Sequence, residues 1–407
     1  MVVALPRERN MNPPYWNKGS VHLWAPGAFE PRGGIATYSR HLARALVTVV
    51  GPERLQMHVQ HDRSLGYVRE LDGARHLGTG RIPARFRAAA FAASVSKAAI
   101  TLRPKLIIAT HLQYGRLARW LSDRLDIPYW LVAHGVEAWE ATNPLLQDYS
   151  VRAGIRQASR ILPVSAFTRS ILIKEQNLDP SNVHVLNNTF EPSKYSVGPK
   201  PAYLLERYRI KPDQPVVLTV SRLIASKQSA AGYFKGYDPV IRAFPDIIRE
   251  VPDAHYILVG KGDDRERLEL MIAELGLTDN VTLTGFVPSD ELADHYRLCD
   301  VFALPSKREG FGIVFLEAMA CGKPCLGGNR DAAVDALLGG ELGHLVDPDD
   351  KLAVANGLIG MLTGTCLNEL MSTPEELRRR VINTFGFERF RENVRAQLAS
   401  FPGQHQG

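Results

Sequence analysis

The segment Val301–Ala320 constrains the fold more than any other part of this chain. Val301-Phe302-Ala303-Leu304-Pro305 is a short apolar run ended by a proline, which predicts a buried strand. Glu309-Gly310-Phe311-Gly312 then breaks the chain, and the apolar positions from Ile313 to Met319 predict a buried helix stopped by Gly322 and Pro324. Strand, loop and helix in that order fit a parallel sheet, whose ligands lie at the carboxyl ends of its strands. The free N–H groups of the first helical turn make an anion site there. Gly310 and Gly312 carry no Cβ and let the backbone approach a ligand closely.

Glu309 precedes the helix and Glu317 lies about two turns along it, so the two carboxylates cannot meet at one atom. They can hold two ends of one elongated guest. Carboxylates accept hydrogen bonds from vicinal hydroxyls and a helix N-terminus accepts phosphate, so a sugar joined to a nucleoside by a diphosphate is the natural ligand.

With seven residues between Glu309 and Glu317, the stretch Pro305–Glu317 resembles the E-x7-E signature of glycosyltransferase family 4, retaining enzymes of the GT-B fold. The resemblance implies that Glu309, with backbone amides around Phe311, Gly312, Ile313 and Val314, holds the donor sugar and diphosphate, and that Glu317 holds the ribose. It further implies an α/β architecture of two Rossmann-like domains facing a central cleft. A first domain over 1–195 would bind the acceptor, a second over 196–385 the nucleotide sugar, and a last helix over 386–407 would return to the first.

Length and composition agree with two domains. A chain of 407 residues exceeds one ordinary core, and 45% hydrophobic with 23% charged residues is a globular balance. No apolar run reaches membrane-spanning length, and Met1–Arg9 is too charged for a secretory leader, so a cytoplasmic location is expected. Cys299, Cys321, Cys325 and Cys366 show no zinc-ligand spacing and read as reduced core residues. The net charge of +6 divides unevenly: residues 1–190 carry +11 and the remainder −5. The first half therefore expects an anionic partner, such as the inner membrane face or a phosphorylated acceptor. Nucleic acid ranks lower, because the basic residues accompany no nucleic-acid motif.

Along the chain, Ser20–Trp24 predicts a first strand, and Gly33-Gly34 then precede a helix from about Ile35. Glycines there suit an anion, and in the family a similar loop lies close to the donor diphosphate. The three-glycine dinucleotide spacing is missing. Arg81–Lys105 predicts an amphipathic helix covering a sheet, with docking on anionic lipid heads as the alternative. Strands follow at Leu106–Ala109 and Tyr129–Ala133, the second delivering His134-Gly135. By position alone His134 could be structural or functional; the resemblance places its imidazole against the donor sugar. Arg160–Ser165 reads as a strand leading to a Ser165-capped helix, and Val183–Asn188 as another strand.

Pro192, Pro199, Pro201, Pro212 and Pro215 mark an interdomain linker. Val216–Leu223 then predicts a strand that delivers Arg222 to a loop. In the family an arginine here and a lysine several residues later grip the diphosphate. A guanidinium fork and a mobile ammonium suit a leaving group that gains negative charge. Residues 224–234 form an insertion that leaves Lys227 and Lys235 as candidates; Lys235 is chosen because Lys235-Gly236 leads into a helix, and the insertion itself could fold over bound donor.

His255–Gly262 predicts a strand and a glycine turn. In the family this turn, with Gly260 and Lys261, borders the nucleoside base together with the later Gly285–Pro288, which includes Val287. Asp331 and Asp335 match no metal-site pattern. Asp347-Pro348-Asp349-Asp350 contains an Asp-x-Asp but precedes a helix, so N-capping is the reading and no essential metal is expected. Thr373–Glu376 predicts a capping box.

The expected activity is retaining transfer of a sugar from a nucleoside diphosphate to a hydroxyl acceptor, in surface polysaccharide or glycolipid assembly. No cofactor is expected. A nucleotide-sugar epimerase or phosphorylase on the same frame is one alternative, and a non-catalytic protein that binds sugar nucleotides is the other.

Overall fold

The computed structural model describes residues 19–30, 33–65, 71–139, 144–225 and 235–401. Met1–Arg9, Pro31, Arg32, Lys227 and most of the insertion after Arg222 lie outside the described residues. The chain divides into two compact units, one of Met1–Ala133, Pro144–Leu162 and Phe390–Gly407, the other of His134–Asn143 and Pro163–Arg389.

The first sheet contains β1 (Val21–Ala25), β2 (Leu55–Val59), β3 (Arg75–Gly78), β4 (Leu106–Ala109), β5 (Tyr129–Ala133) and β6 (Arg160–Pro163). Their order is β3-β2-β1-β4-β5-β6, and β1 pairs in parallel with both β2 and β4. The second contains β7 (Val216–Val220), β8 (His255–Val259), β9 (Val281–Gly285), β10 (Val301–Leu304), β11 (Cys325–Gly328) and β12 (Gly343–Val346). Its order is β12-β11-β10-β7-β8-β9, with every pair parallel. Both orders reverse direction beside their first strand, at β1/β4 and at β7/β10. Loops leaving that pair diverge and open a crevice at the carboxyl edge.

The helices cover these sheets for the reasons their sequences give. Phe91, Val95, Ala98 and Ala99 form the buried stripe of the helix Ala84–Leu102, and Phe91 meets Trp24 of β1 edge to face at 6.4 Å. That helix therefore covers a sheet. In the second unit Tyr237, Val240, Ile241, Phe244 and Ile247 of the helix Tyr237–Glu250 join Val217, Tyr256, Leu258 and Ala303 in one core. Ser165 accepts the Thr168 N–H at 3.0 Å and caps the helix Ala166–Gln176. Ser165→Ala is expected to cost about 1 kcal/mol, read as a lower urea midpoint with an unchanged slope.

Several expectations are corrected. Val183–Asn188 is not a strand: Leu186 N–H donates to Pro163 O at 3.0 Å and the Asn187 side chain to Val164 O at 3.1 Å, too little for a ladder. Strands β2 and β3 were not expected. Buried Gln56 and His58 interrupt the apolar pattern of β2, and β3 is an exposed edge. Thr373 lacks the expected capping bond, because its hydroxyl donates back to Glu369 O at 3.0 Å, although Pro374 does open the helix. Asp350 caps its helix through the Ala353 N–H at 2.9 Å. Three cysteines are buried, but Cys366 is exposed. Among the described residues no helix is long and apolar enough to cross a membrane.

Candidate active site

In the second unit the site is built where β7 and β10 end side by side. Beyond β7 the chain stays extended through Arg222, pinned against the β8 turn: Ser221 N–H donates to Val259 O at 2.9 Å and Leu223 N–H to Lys261 O at 3.2 Å. Only glycine fits opposite. A Cβ on Gly260 would stand 1.7 Å from Ser221 O, and one on Gly262 1.6 Å from Leu223 O. The Gly260-x-Gly262 spacing is thus a packing requirement of the Arg222 segment. The guanidinium of Arg222 is exposed, and among the described residues it has no ion-pair partner. Just beyond, Tyr237 OH donates to Asp264 at 3.0 Å and accepts from Ile224 N–H at 3.2 Å, which fixes the start of the insertion.

Lys235 is brought to the same edge. Gly236 has φ +75°, and a Cβ there would lie 2.9 Å from the Leu304 and Pro305 backbone, so Lys235-Gly236 rests on the end of β10. Lys235 Nζ pairs with Glu309 Oε2 at 3.3 Å, both side chains half-buried. Gly310 meets another backbone, for a Cβ would fall 1.8 Å from His134 O. The His134-Gly135 turn is therefore seated on the Glu309-Gly310 loop, and Glu137 accepts the His134 N–H.

Gly312, with φ +89°, turns the chain into the helix Ile313–Ala320; Phe315 N–H already donates to Gly312 O at 3.0 Å, which leaves the amides of Ile313 and Val314 ahead of the helical ladder. Ile313 and Val314 are half-buried at its start, whereas Phe311 is buried against the Phe385 ring at 5.4 Å and can offer a ligand only its backbone. Glu317 accepts from Tyr195 OH and Tyr296 OH, each at 2.7 Å, one per oxygen. Burial pushes its carboxyl above the usual range. Each oxygen keeps a lone pair for a further donor.

The two turns expected at the base also meet. Gly260 N–H donates to Gly285 O at 2.9 Å, and Lys261 Nζ sits 4.9 Å from the exposed Phe286 ring, next to Val287.

Sequence reasoning passed over Asp331. Its buried carboxylate accepts from Glu309 N–H at 2.7 Å, Ser306 OH at 2.5 Å and Ala333 N–H at 3.0 Å. Burial raises it to about 7, the three hydrogen bonds working against the shift and the Glu309 charge with it. The two partners in the Glu309 loop lie 22 and 25 residues away, so no local motif announces the link.

In the first unit Gly33 has φ +94° and precedes the helix Gly34–Val50, and a Cβ on either Gly33 or Gly34 would meet nothing within 4 Å. Asp62 holds the preceding loop by accepting from Ala28 and Phe29 N–H groups at 2.7 Å each. A cavity of about 410 Å³ opens nearby in sequence, lined by Gln60, Phe91, Tyr114, Arg116, Leu117 and Trp120 among others. Among the described residues no group of three or more His, Cys, Asp or Glu is placed to hold a metal.

The family profile "Glycosyl transferase 4-like domain" matches residues 33–189 and "Glycosyl transferases group 1" matches residues 205–383. The chain belongs to this glycosyltransferase family. A relative in Mycolicibacterium smegmatis, a GDP-mannose-dependent alpha-(1-6)-phosphatidylinositol monomannoside mannosyltransferase, is 33% identical over 256 residues, covering 61% of this chain and 63% of the relative. Alpha-D-kanosaminyltransferase of Streptomyces kanamyceticus is 27% identical over 247 residues, covering 60% and 61%. The matched stretch spans less than two thirds of either curated relative.

The fold of this chain is also that of solved structures. Anabaena HepE in complex with UDP superposes with TM-score 0.76 at 20% identity, covering 94% of this chain and all of that one. Sucrose-phosphate synthase from Thermosynechococcus elongatus gives 0.74 at 21% identity, covering 94% and 98%. These likenesses establish the two-sheet GT-B architecture.

Proposed function

We propose that the protein transfers a sugar from a nucleoside diphosphate to a hydroxyl acceptor with retention at the anomeric carbon. The observation that carries this reading is the arrangement at the β7/β10 edge: Arg222, the Lys235–Glu309 pair and the N-terminus of the helix Ile313–Ala320 leave two adjacent strands.

Arg222, Lys235 and the first-turn amides would stabilise the departing diphosphate, whose charge grows as the glycosidic bond breaks. Lys235 pairs with Glu309, and with donor bound the ammonium would turn to phosphate and free the carboxylate for sugar hydroxyls. His134 orients the sugar, and Glu317 takes the ribose with its remaining lone pairs. No protein nucleophile is assigned. The acceptor hydroxyl attacks on the face the leaving phosphate vacates, and that phosphate takes the proton. The basic first half and the largely apolar cavity near Trp120 favour an acceptor with a phosphate or lipid part, as in glycolipid or surface polysaccharide assembly at the inner membrane face.

The test is a panel of nucleotide sugars beginning with GDP-mannose and UDP-glucose, followed by thermal shift and donor hydrolysis, since a ligand of the folded state raises its stability. One donor should raise the melting temperature, and Glu309→Gln should lower its turnover roughly tenfold or more by losing a charged hydrogen-bond acceptor. Conversion of donor without acceptor into an epimeric sugar nucleotide would replace this reading with the epimerase alternative.

A further inference from the structure

Within the E-x7-E loop, the main chain of Glu309 is held from outside the motif. Its N–H donates to Asp331 Oδ2 at 2.7 Å and its carbonyl accepts the Ala332 N–H at 3.1 Å, so both polar groups of the residue are tied to one turn after β11. Ser306, three residues earlier in the loop, donates its hydroxyl to the same Asp331 oxygen at 2.5 Å. The two loops run in backbone contact, because a Cβ on Gly328 would stand 2.2 Å from Ser306 O. Asp331 is fully buried, and its second oxygen is fixed by Ala333 N–H at 3.0 Å. A carboxylate oriented on one side by the start of its own turn and on the other by the loop cannot rotate without orphaning a buried amide.

We infer that Asp331 is a positioning residue for transfer: it fixes the backbone of Glu309 and thereby where the Glu309 carboxylate meets the donor sugar. The inference rests on the proposed role of Glu309 and deepens it. Asp331 reaches no ligand itself. An asparagine there keeps shape and size but turns one oxygen into an N–H donor, so either Ala333 or the Ser306–Glu309 pair loses its acceptor. The loop then relaxes at Glu309, while Arg222 and Lys235, held by β8 and by the end of β10, stay in place.

Asp331→Asn, Glu309→Gln and the double variant, assayed with GDP-mannose and UDP-glucose, separate this role from mere stabilisation. Asp331→Asn should lower kcat about tenfold when Glu309 is present and less than about twofold in the Glu309→Gln background, because coupled residues are not additive. Affinity for GDP or UDP alone, which lacks the sugar Glu309 would hold, should change less than about twofold. Ser306→Ala, a milder change that removes one hydroxyl donor, should show the same background dependence with a loss of about threefold, and it carries the test if the asparagine variant does not fold. Equal losses in both backgrounds, or nucleotide affinity falling in step with kcat, overturn the inference and leave the site reading standing. Unchanged turnover in Glu309→Gln would remove both.

Discussion

Arg222→Ala is expected to lower kcat by about 10²–10³-fold with the donor found in the panel, the loss expected when a preorganised donor to developing charge is removed. The physical reason is the place of the guanidinium. It leaves the end of β7, clamped through Ser221 and Leu223 to the Gly260–Gly262 turn, and stays exposed with no ion-pair partner among the described residues. Charge held ready on a rigid strand end needs little reorganisation as the diphosphate departs. The same isolation makes folding insensitive to the change, so the melting temperature should shift by less than a degree or two, as for other surface substitutions. Arg222→Lys should recover only part of the loss, since an ammonium cannot reproduce the planar fork. A variant that keeps wild-type kcat with the donor would remove Arg222 from the reaction, and a large fall in melting temperature would make its role structural.

How much of this could be read from the chain depends on whether a feature is local. Val301–Ala320 was legible because strand, glycine loop and helix follow one another and each has its own residue signature. The choice of Lys235 over Lys227 could be argued from Gly236 and the helix after it, and the Lys235–Glu309 pair gives that choice a contact. Other features are set by distant partners. The reason for Gly310 is a carbonyl at His134, more than 170 residues earlier. Asp331 looked like an unassigned acidic residue because the amide it serves belongs to another loop. The two tyrosines on Glu317 come from Tyr195 and from the helix Leu292–Leu298, so its crowding could not be foreseen. Strand β2 was missed because its buried side chains include two polar ones, and one of them, His58, takes part in the second large effect expected of this protein.

His22→Leu should stabilise the protein progressively as pH falls from 6.5 to about 4. His22 and His58 lie on adjacent strands β1 and β2 with ring centroids 5.5 Å apart, both buried. Neither ring nitrogen of His22 has a partner among the described residues, and His58 Nε2 meets only Gln56 Nε2 at 3.1 Å. Burial lowers His22 to about 4, and burial with the His22 charge lowers His58 to about 3. Well above pH 6.5 both rings are neutral in folded and unfolded chains and contribute no pH dependence. Below it the unfolded chain takes up protons that the folded one refuses, so each ring withdraws stability at about 1.4 kcal/mol per pH unit until its folded pKa is reached. Buried Asp331 and half-buried Glu317 and Asp335, whose carboxyls are raised, act in the opposite direction over part of the same range. The wild-type acid profile therefore mixes both signs, and the informative quantity is the difference between variant and wild type. Removing His22 also relieves the Coulombic part of the His58 shift, so the gap should widen by at least the single-ring slope. Urea unfolding of both proteins at pH 7.5, 6, 5 and 4 reads it, and a stability difference that stays constant over those four points would mean that this pair is hydrated rather than sealed within the sheet.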